Sequence, residues 1–194
     1  LSTFAFTVCF AIWTIFSILG MQIKQELNLS DTQFGILVAT PILTGALSRL
    51  ILGIWTDQYG GRIVMTLTMV LSAISTYLLS SVETYKMFLV AALGVGLAGG
   101  TFAVGITYVS AWYEKEKQGT VLGIFGVGNV GAALTNFGAP FILLALGWQG
   151  LAKTYAIIIF VSAILFYLFA KDDPKFIARK TKKEKPRSIL QQIE

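Results

Sequence analysis

The chain has 194 residues, 55% of them hydrophobic and 13% charged, with a formal net charge of +5 and a mean hydropathy of +0.73. Soluble domains carry about 25% charged residues, so this composition excludes a soluble globular protein and defines an integral membrane one. There is no histidine and only one cysteine, which removes the commonest general base and metal ligand and any disulfide within the chain.

Charges fall in clusters and leave uncharged runs at Leu1–Ile23, Ile63–Val82, Met87–Tyr113, Gln118–Ala152 and Thr154–Ala170. Most of these reach the roughly 20 residues with which a helix crosses about 30 Å of hydrocarbon. They lack the polar–apolar alternation of barrel strands, and a helix satisfies every backbone group within its own segment. The expected fold class is all-α: a polytopic bundle of six transmembrane helices near 1–20, 34–56, 63–81, 87–112, 119–146 and 152–170.

The first span holds Cys9, which is expected to pack as a small hydrophobe. It opens at Leu1 without a Met or a polar lead-in and so reads as a piece of a longer protein; no basic region precedes it, as a signal peptide would require. In the loop KQELNLSDTQFG, Ser30 or Asp31 is placed to cap the second span. That span reads TPILTGALSRLILGIWT, and Arg49 is its sole charge between Thr32 and Thr56. A guanidinium there costs roughly 2.5–3.5 kcal/mol on insertion scales, so it normally faces a pore, a partner or a ligand. On a helical wheel Pro41, Thr44, Gly45, Ser48, Arg49 and Leu52 share one side, with Leu43, Ala46, Leu47, Leu50 and Ile51 on the other. Lying about 10 Å inside Thr56 at 1.5 Å per residue, Arg49 is too deep to snorkel without strain. Its expected companion is an anion.

DQYGGR joins spans two and three, with Gly60 and Gly61 supplying the reversal. Spans four and five are crowded with glycine, which lets membrane helices approach closely. Gly119, Gly123 and Gly126 form one stripe and Gly128, Gly131 and Gly138 an opposite one, so the fifth span is expected to pack tightly on two faces. Asn129 lies between the stripes, and its amide needs an interhelical partner or a ligand. EKEKQG separates spans four and five, GWQG separates five and six, and Pro174 in KDDPKF ends the sixth helix. Two regions result: a six-helix bundle over 1–170 and a basic linker or tail over 171–194, whose stretch Lys175–Arg187 reads as a solvated connection.

Lysine and arginine counts set the orientation. Arg62, Lys115, Lys117, Lys171, Lys175, Arg179, Lys180, Lys182, Lys183, Lys185 and Arg187 lie on one side, eleven in all, against Lys24, Lys86 and Lys153 on the other, three in all. This bias places both ends of the chain in the cytoplasm. It also accounts for the net charge without any nucleic-acid partner.

Gly53, Asp57, Gly60 and Arg62 in GIWTDQYGGR resemble the loop signature of the major facilitator superfamily, which also joins its second and third helices. The pattern normally has a basic residue after the Asp, where this chain has Gln58, and the superfamily's fourth helix often carries an Arg that is missing here. GIFGVGNVGAA, Gly123 through Ala133, resembles the nitrate signature of the superfamily's nitrate/nitrite porter family. PILTGALSRLILG, GGTFAVG and KQGTVLGI match as well, so the likeness covers essentially the whole chain.

The resemblance implies one half of a secondary transporter of the inner (plasma) membrane, working by alternating access with a second six-helix bundle in the same or another chain. It implies a substrate-binding set of Arg49, Asn129 and Phe102, with Gly126 and Gly128 letting the backbone come close, and it calls for no cofactor or metal. A planar guanidinium suits a planar, delocalised anion such as nitrate or nitrite because it offers two parallel hydrogen bonds. Acidic residues are missing from every expected span, whereas proton-coupled carriers commonly place one in the membrane. Nitrate/nitrite exchange is therefore expected ahead of nitrate/proton symport or a carrier of another small anion such as formate or oxalate. With no metal cluster, activated nucleophile or phosphate loop in the sequence, an enzyme is not expected.

Overall fold

The computed structural model describes residues 1–182, all of them in helices or short connections. In chain order these are α1 (Ser2–Trp13), α2 (Phe16–Glu26), α3 (Asp31–Tyr59), α4 (Gly61–Leu79), α5 (Tyr85–Ser110), α6 (Lys115–Gly126), a 3₁₀ turn (Val127–Asn129), α7 (Val130–Phe169) and α8 (Pro174–Lys182). Residues 183–194, the far part of the expected linker, lie outside the described residues.

These elements make the six expected spans. α1 and α2 form the first, and α3, α4 and α5 the next three. The run Lys115–Phe169 has 55 residues, which at 1.5 Å each would reach more than twice the depth of a bilayer core. It turns back at Gly147, whose φ of 70° and ψ of 178° break the helix, a conformation to which glycine is suited. Trp148 next to it donates its indole N–H to the Glu26 carboxylate at 2.8 and 2.9 Å, pinning this reversal to the end of the first span.

Caps follow the sequence. Ser30 accepts from the Gln33 N–H while the Gln33 side chain accepts from the Ser30 N–H, a reciprocal capping box that starts α3. Lys24 donates to Asp31 at 2.6 Å across the same loop, and that bond holds the Asp31 carboxyl below its usual range. The DQYGGR connection is shorter than its sequence reads: α3 continues to Tyr59, and Gly60 alone, at φ 85° and ψ 142°, reverses the chain into α4. Similarly, α6 begins at Lys115, inside the expected loop.

The bundle is organised around α5, which packs against α3, α4 and α1, while α7 covers α4 and α1. α3 and α4, although joined through one residue, meet each other far less than either meets α5. They splay apart. Leu43, Leu47, Leu50 and Ile51 of α3 are each more than half exposed, as a lipid-facing stripe requires, while Pro41, Gly45, Ser48 and Leu52 are buried.

The fifth span corrects one expectation. Gly128 and Gly131 do pack tightly: a Cβ at Gly128 would overlap the Phe6 ring and one at Gly131 the Thr7 carbonyl. Gly119, Gly123, Gly126 and Gly138 have nothing within 4 Å of where a Cβ would be. Only one face is therefore packed against α1, and Gly138, although on the same side of α7 as Gly131, lies two turns further along, where nothing packs on it. Gly131→Ala should destabilise the chain by about 1–3 kcal/mol, because the obstructing atoms are backbone and cannot swing aside. Gly138→Ala should be close to neutral, and thermal unfolding of both variants in detergent compares them.

Candidate functional site

Arg49 turns into the bundle. Its Nε donates to the Gly99 carbonyl of α5 at 3.3 Å, and its guanidinium carbon lies 5.6 Å from the Trp13 ring and 5.3 Å from the Phe102 ring. Both separations are within cation–π range. Among the described residues the two ion pairs are Lys24–Asp31 and Arg62–Asp172, so no carboxylate neutralises Arg49. The residue is half-buried, and its terminal nitrogens do not figure among the buried groups lacking a partner. Among the described residues the hydrogen bond that Arg49 gives to protein comes from Nε, so the terminal N–H groups of the fork are not taken by a protein acceptor.

Sequence inspection did not single out Trp13, which is central to this arrangement. Its indole N–H donates to the Pro41 carbonyl at 2.8 Å. The ring fits between α3 and α5 only because Gly45 and Gly99 lack side chains: a Cβ would come within 2.7 Å of the indole at Gly45 and 2.6 Å at Gly99. A tryptophan in mid-span rather than in an interfacial belt was the available signal. Behind it the first span breaks at Thr14 and Ile15, where the Thr14 hydroxyl donates to the Phe10 and Ala11 carbonyls and competes with the helical ladder. An adjoining cleft of about 300 Å³ runs from Trp13 past Thr14 and Ser17 to Asn136 of α7.

Phe102 lies beside Arg49 and belongs to an aromatic group with Phe6 (5.4 Å between centroids) and Phe125 (6.1 Å). Phe6 stacks on Phe125 at 4.8 Å and fills the space left by Gly128. Gly128 therefore serves this aromatic wall. Asn129 is exposed in the 3₁₀ turn and donates one amide hydrogen to the Gly126 carbonyl at 2.7 Å. Among the described residues no hydrogen bond joins Asn129 to Arg49; its neighbour Gly128 packs on Phe6, which meets Phe102 beside Arg49. Gly126 faces open space. A 3₁₀ step in mid-span commonly marks a hinge.

The loop motif is at the far end of α3. Gly60 makes the reversal at positive φ, and Gly53 faces open space. Arg62 donates through Nε and Nη2 to the Tyr167 carbonyl at 3.0 and 2.8 Å, stacks over the Tyr167 ring at 4.6 Å and lies 3.7 Å from Asp172. Asp57 is exposed. An acid in the last turn of α3 and a base in the first turn of α4 both oppose their helix dipoles, so neither is placed for the stability of its own helix.

Asp173, read from the sequence only as part of a loop, is the buried member of this end. Its Oδ2 accepts from the Gly61 N–H at 3.2 Å and its Oδ1 from the Phe176 N–H at 2.8 Å, so one carboxylate caps α4 and α8 together. Tyr108 closes the corner by donating to the Lys171 carbonyl at 2.5 Å.

The site thus lies in an all-helical bundle of membrane-length apolar helices, with a positive-φ reversal between spans two and three. Residues 1–193 match the family model of the Major Facilitator Superfamily, and the chain belongs to that superfamily. The chain is 41% identical over 179 residues to a probable nitrate/nitrite antiporter, NarK1, of Thermus thermophilus, covering 86% of this chain and 40% of that protein. It is 33% identical to a nitrite extrusion protein of Bacillus subtilis (strain 168), with 82% and 40% covered, and 33% identical to a probable nitrate transporter, NarT, of Staphylococcus epidermidis, with 90% and 46% covered. The chain thus spans less than half the length of these relatives. Among solved structures, a bacterial homolog of the human lysosomal transporter Spinster, inward-facing and unoccupied, superposes with a TM-score of 0.75 over 90% of this chain and 42% of that one; at 17% identity it shares the fold.

Asp173→Ala should cost about 1–3 kcal/mol by leaving the buried Gly61 N–H without an acceptor. Asp173→Asn, which keeps one acceptor oxygen, should recover part of that loss in the same thermal unfolding measurement.

Proposed function

We propose that this chain is the N-terminal half of a nitrate/nitrite carrier of the inner membrane, with both of its ends in the cytoplasm, and that Arg49 grips the anion. The observation that carries the reading is a half-buried guanidinium without a carboxylate partner, its fork open between two aromatic faces. A trigonal oxyanion takes two parallel hydrogen bonds from that fork. Phe102 and Trp13 supply flat walls against which a planar ion fits, and they exclude the hydration shell of bulkier, more strongly solvated anions. The printed names of the relatives support nitrate and nitrite as the substrates.

Asn129 has a second amide hydrogen beyond the one given to Gly126, and it serves the anion when the two halves close. Gly126, on the open face, allows the partner bundle to approach. Gly128 acts through Phe6 by setting the position of the aromatic wall. Asp57 and Gly53 in turn face the second six-helix bundle, which the parent protein or a separate chain supplies over the 171–194 linker.

Exchange of nitrate for nitrite is the coupling mode this reading favours. Among the described residues the acids lie in loops or at helix ends, so this half offers no intramembrane carboxylate to carry a proton. In proteoliposomes of the intact transporter, nitrate uptake should require internal nitrite and respond little to an imposed proton gradient. Strong gradient-driven uptake without internal nitrite would overturn exchange while leaving Arg49 in place. Arg49→Lys should weaken apparent nitrate affinity by about tenfold or more, since an ammonium keeps the charge but loses the bidentate fork. Unaltered flux in Arg49→Ala at normal expression would remove the anion site itself.

A further inference from the structure

The splay between α3 and α4 leaves a groove of about 770 Å³, within the roughly 300–1,000 Å³ range of ligand sites. Trp55 and Tyr59 of α3, Leu67 and Leu71 of α4, and Leu97 of α5 line it, and Phe176 of α8 stands at one end. Leu67 and Leu71 are more than half exposed, as are Tyr59 and, nearly, Trp55, so the groove opens sideways to the bilayer. Its polar lining residue Thr68 gives its hydroxyl to the Val64 carbonyl at 2.8 Å. An apolar chain is therefore a better occupant than a polar solute.

The end marked by Phe176 is basic. Lys175 adjoins Phe176, and Arg179 and Lys180 follow Phe176 at i+3 and i+4, on its side of α8. Asp173 fixes the start of α8 to the start of α4, so the side of α8 that presents Phe176 to the groove is also the side that carries Arg179 and Lys180. Trp55 and Tyr59 mark the same level as an aromatic interfacial belt. A hydrocarbon slot crowned by three cations and two interfacial aromatics has the chemistry of a phospholipid with a negatively charged headgroup.

We propose that the α3–α4 groove binds one anionic phospholipid, with an acyl chain along Leu67 and Leu71 and the headgroup phosphate at Lys175, Arg179 and Lys180. The helix α8 is then a lipid-gripping element as well as the beginning of the connection to the next bundle.

Native mass spectrometry of the intact protein, incubated with equimolar dioleoylphosphatidylglycerol and dioleoylphosphatidylcholine, tests this. One retained phosphatidylglycerol is expected, favoured over phosphatidylcholine by about fivefold or more, since a basic residue near a lipid surface is worth about that factor. Replacing Lys175, Arg179 and Lys180 together by Gln should bring the preference to about one while lipid is still retained. Leu67→Trp, at an exposed position that tolerates a larger side chain, should fill the slot and abolish retention of either lipid. Equal retention of the two lipids by the unmodified protein would overturn the proposal. So would a preference that both variants leave intact, or an absence of any retained lipid, which would assign the groove to a helix of the second bundle.

Discussion

The arrangement depends on keeping one positive charge in an apolar interior without neutralising it. Insertion of a central Arg costs roughly 2.5–3.5 kcal/mol. A hydrogen bond to a charged donor returns about 1.5–3 kcal/mol, and each cation–π contact about 0.5–2. The Gly99 carbonyl, Trp13 and Phe102 are therefore sufficient to hold Arg49 in place. A carboxylate would hold it more firmly but would consume the fork. Aromatic faces stabilise the cation while leaving its N–H edge unoccupied, and the proposed anion site rests on that difference.

Trp13 transmits this requirement to the rest of the bundle. For its indole to lie beside Arg49, α3 and α5 must both be glycine at the crossing, and for its N–H to be satisfied the Pro41 carbonyl must face inward. Phe6 makes a similar demand on the fifth span through Gly128, and Gly131 brings the α1 backbone closer still. Close approach is the dominant source of helix association in lipid, where burial of apolar surface offers little. The glycines that shape the site are thus also the ones that hold the bundle together, which leaves few positions where the two roles can be separated by mutation.

The six spans, their limits to within a few residues, the Ser30 cap and the two-sided character of α3 were legible in the sequence, because hydropathy and charge clustering act over many residues at once. Arg49 was legible for the same reason: one charge in a long apolar run is conspicuous. Phe102 came from resemblance, and the fold places it next to Arg49. Trp13 was missed although its mid-span position was a signal, since that position does not say what the ring meets and its role arises from the crossing of three helices. The packing of the fifth span was misjudged because a helical wheel shows which residues share a side but not which sides meet a neighbour, and of these glycines α1 covers only Gly128 and Gly131. Asp173 escaped notice because capping two helices from different parts of the chain is a tertiary fact.

Asp173 has a consequence for motion. Gly60 is the sole residue between α3 and α4, and α4 shares its N-terminal cap with α8. Arg62, one residue further on, is tied to the end of α7 through the Tyr167 carbonyl. The starts of α4 and α8 and the end of α7 are therefore fastened at one corner, and a displacement of that corner would be shared by all three. α3 is only loosely packed against α4, so the slack in this half lies between spans two and three, where the groove is. A ligand seated there would bear on how far α3 and α4 stand apart.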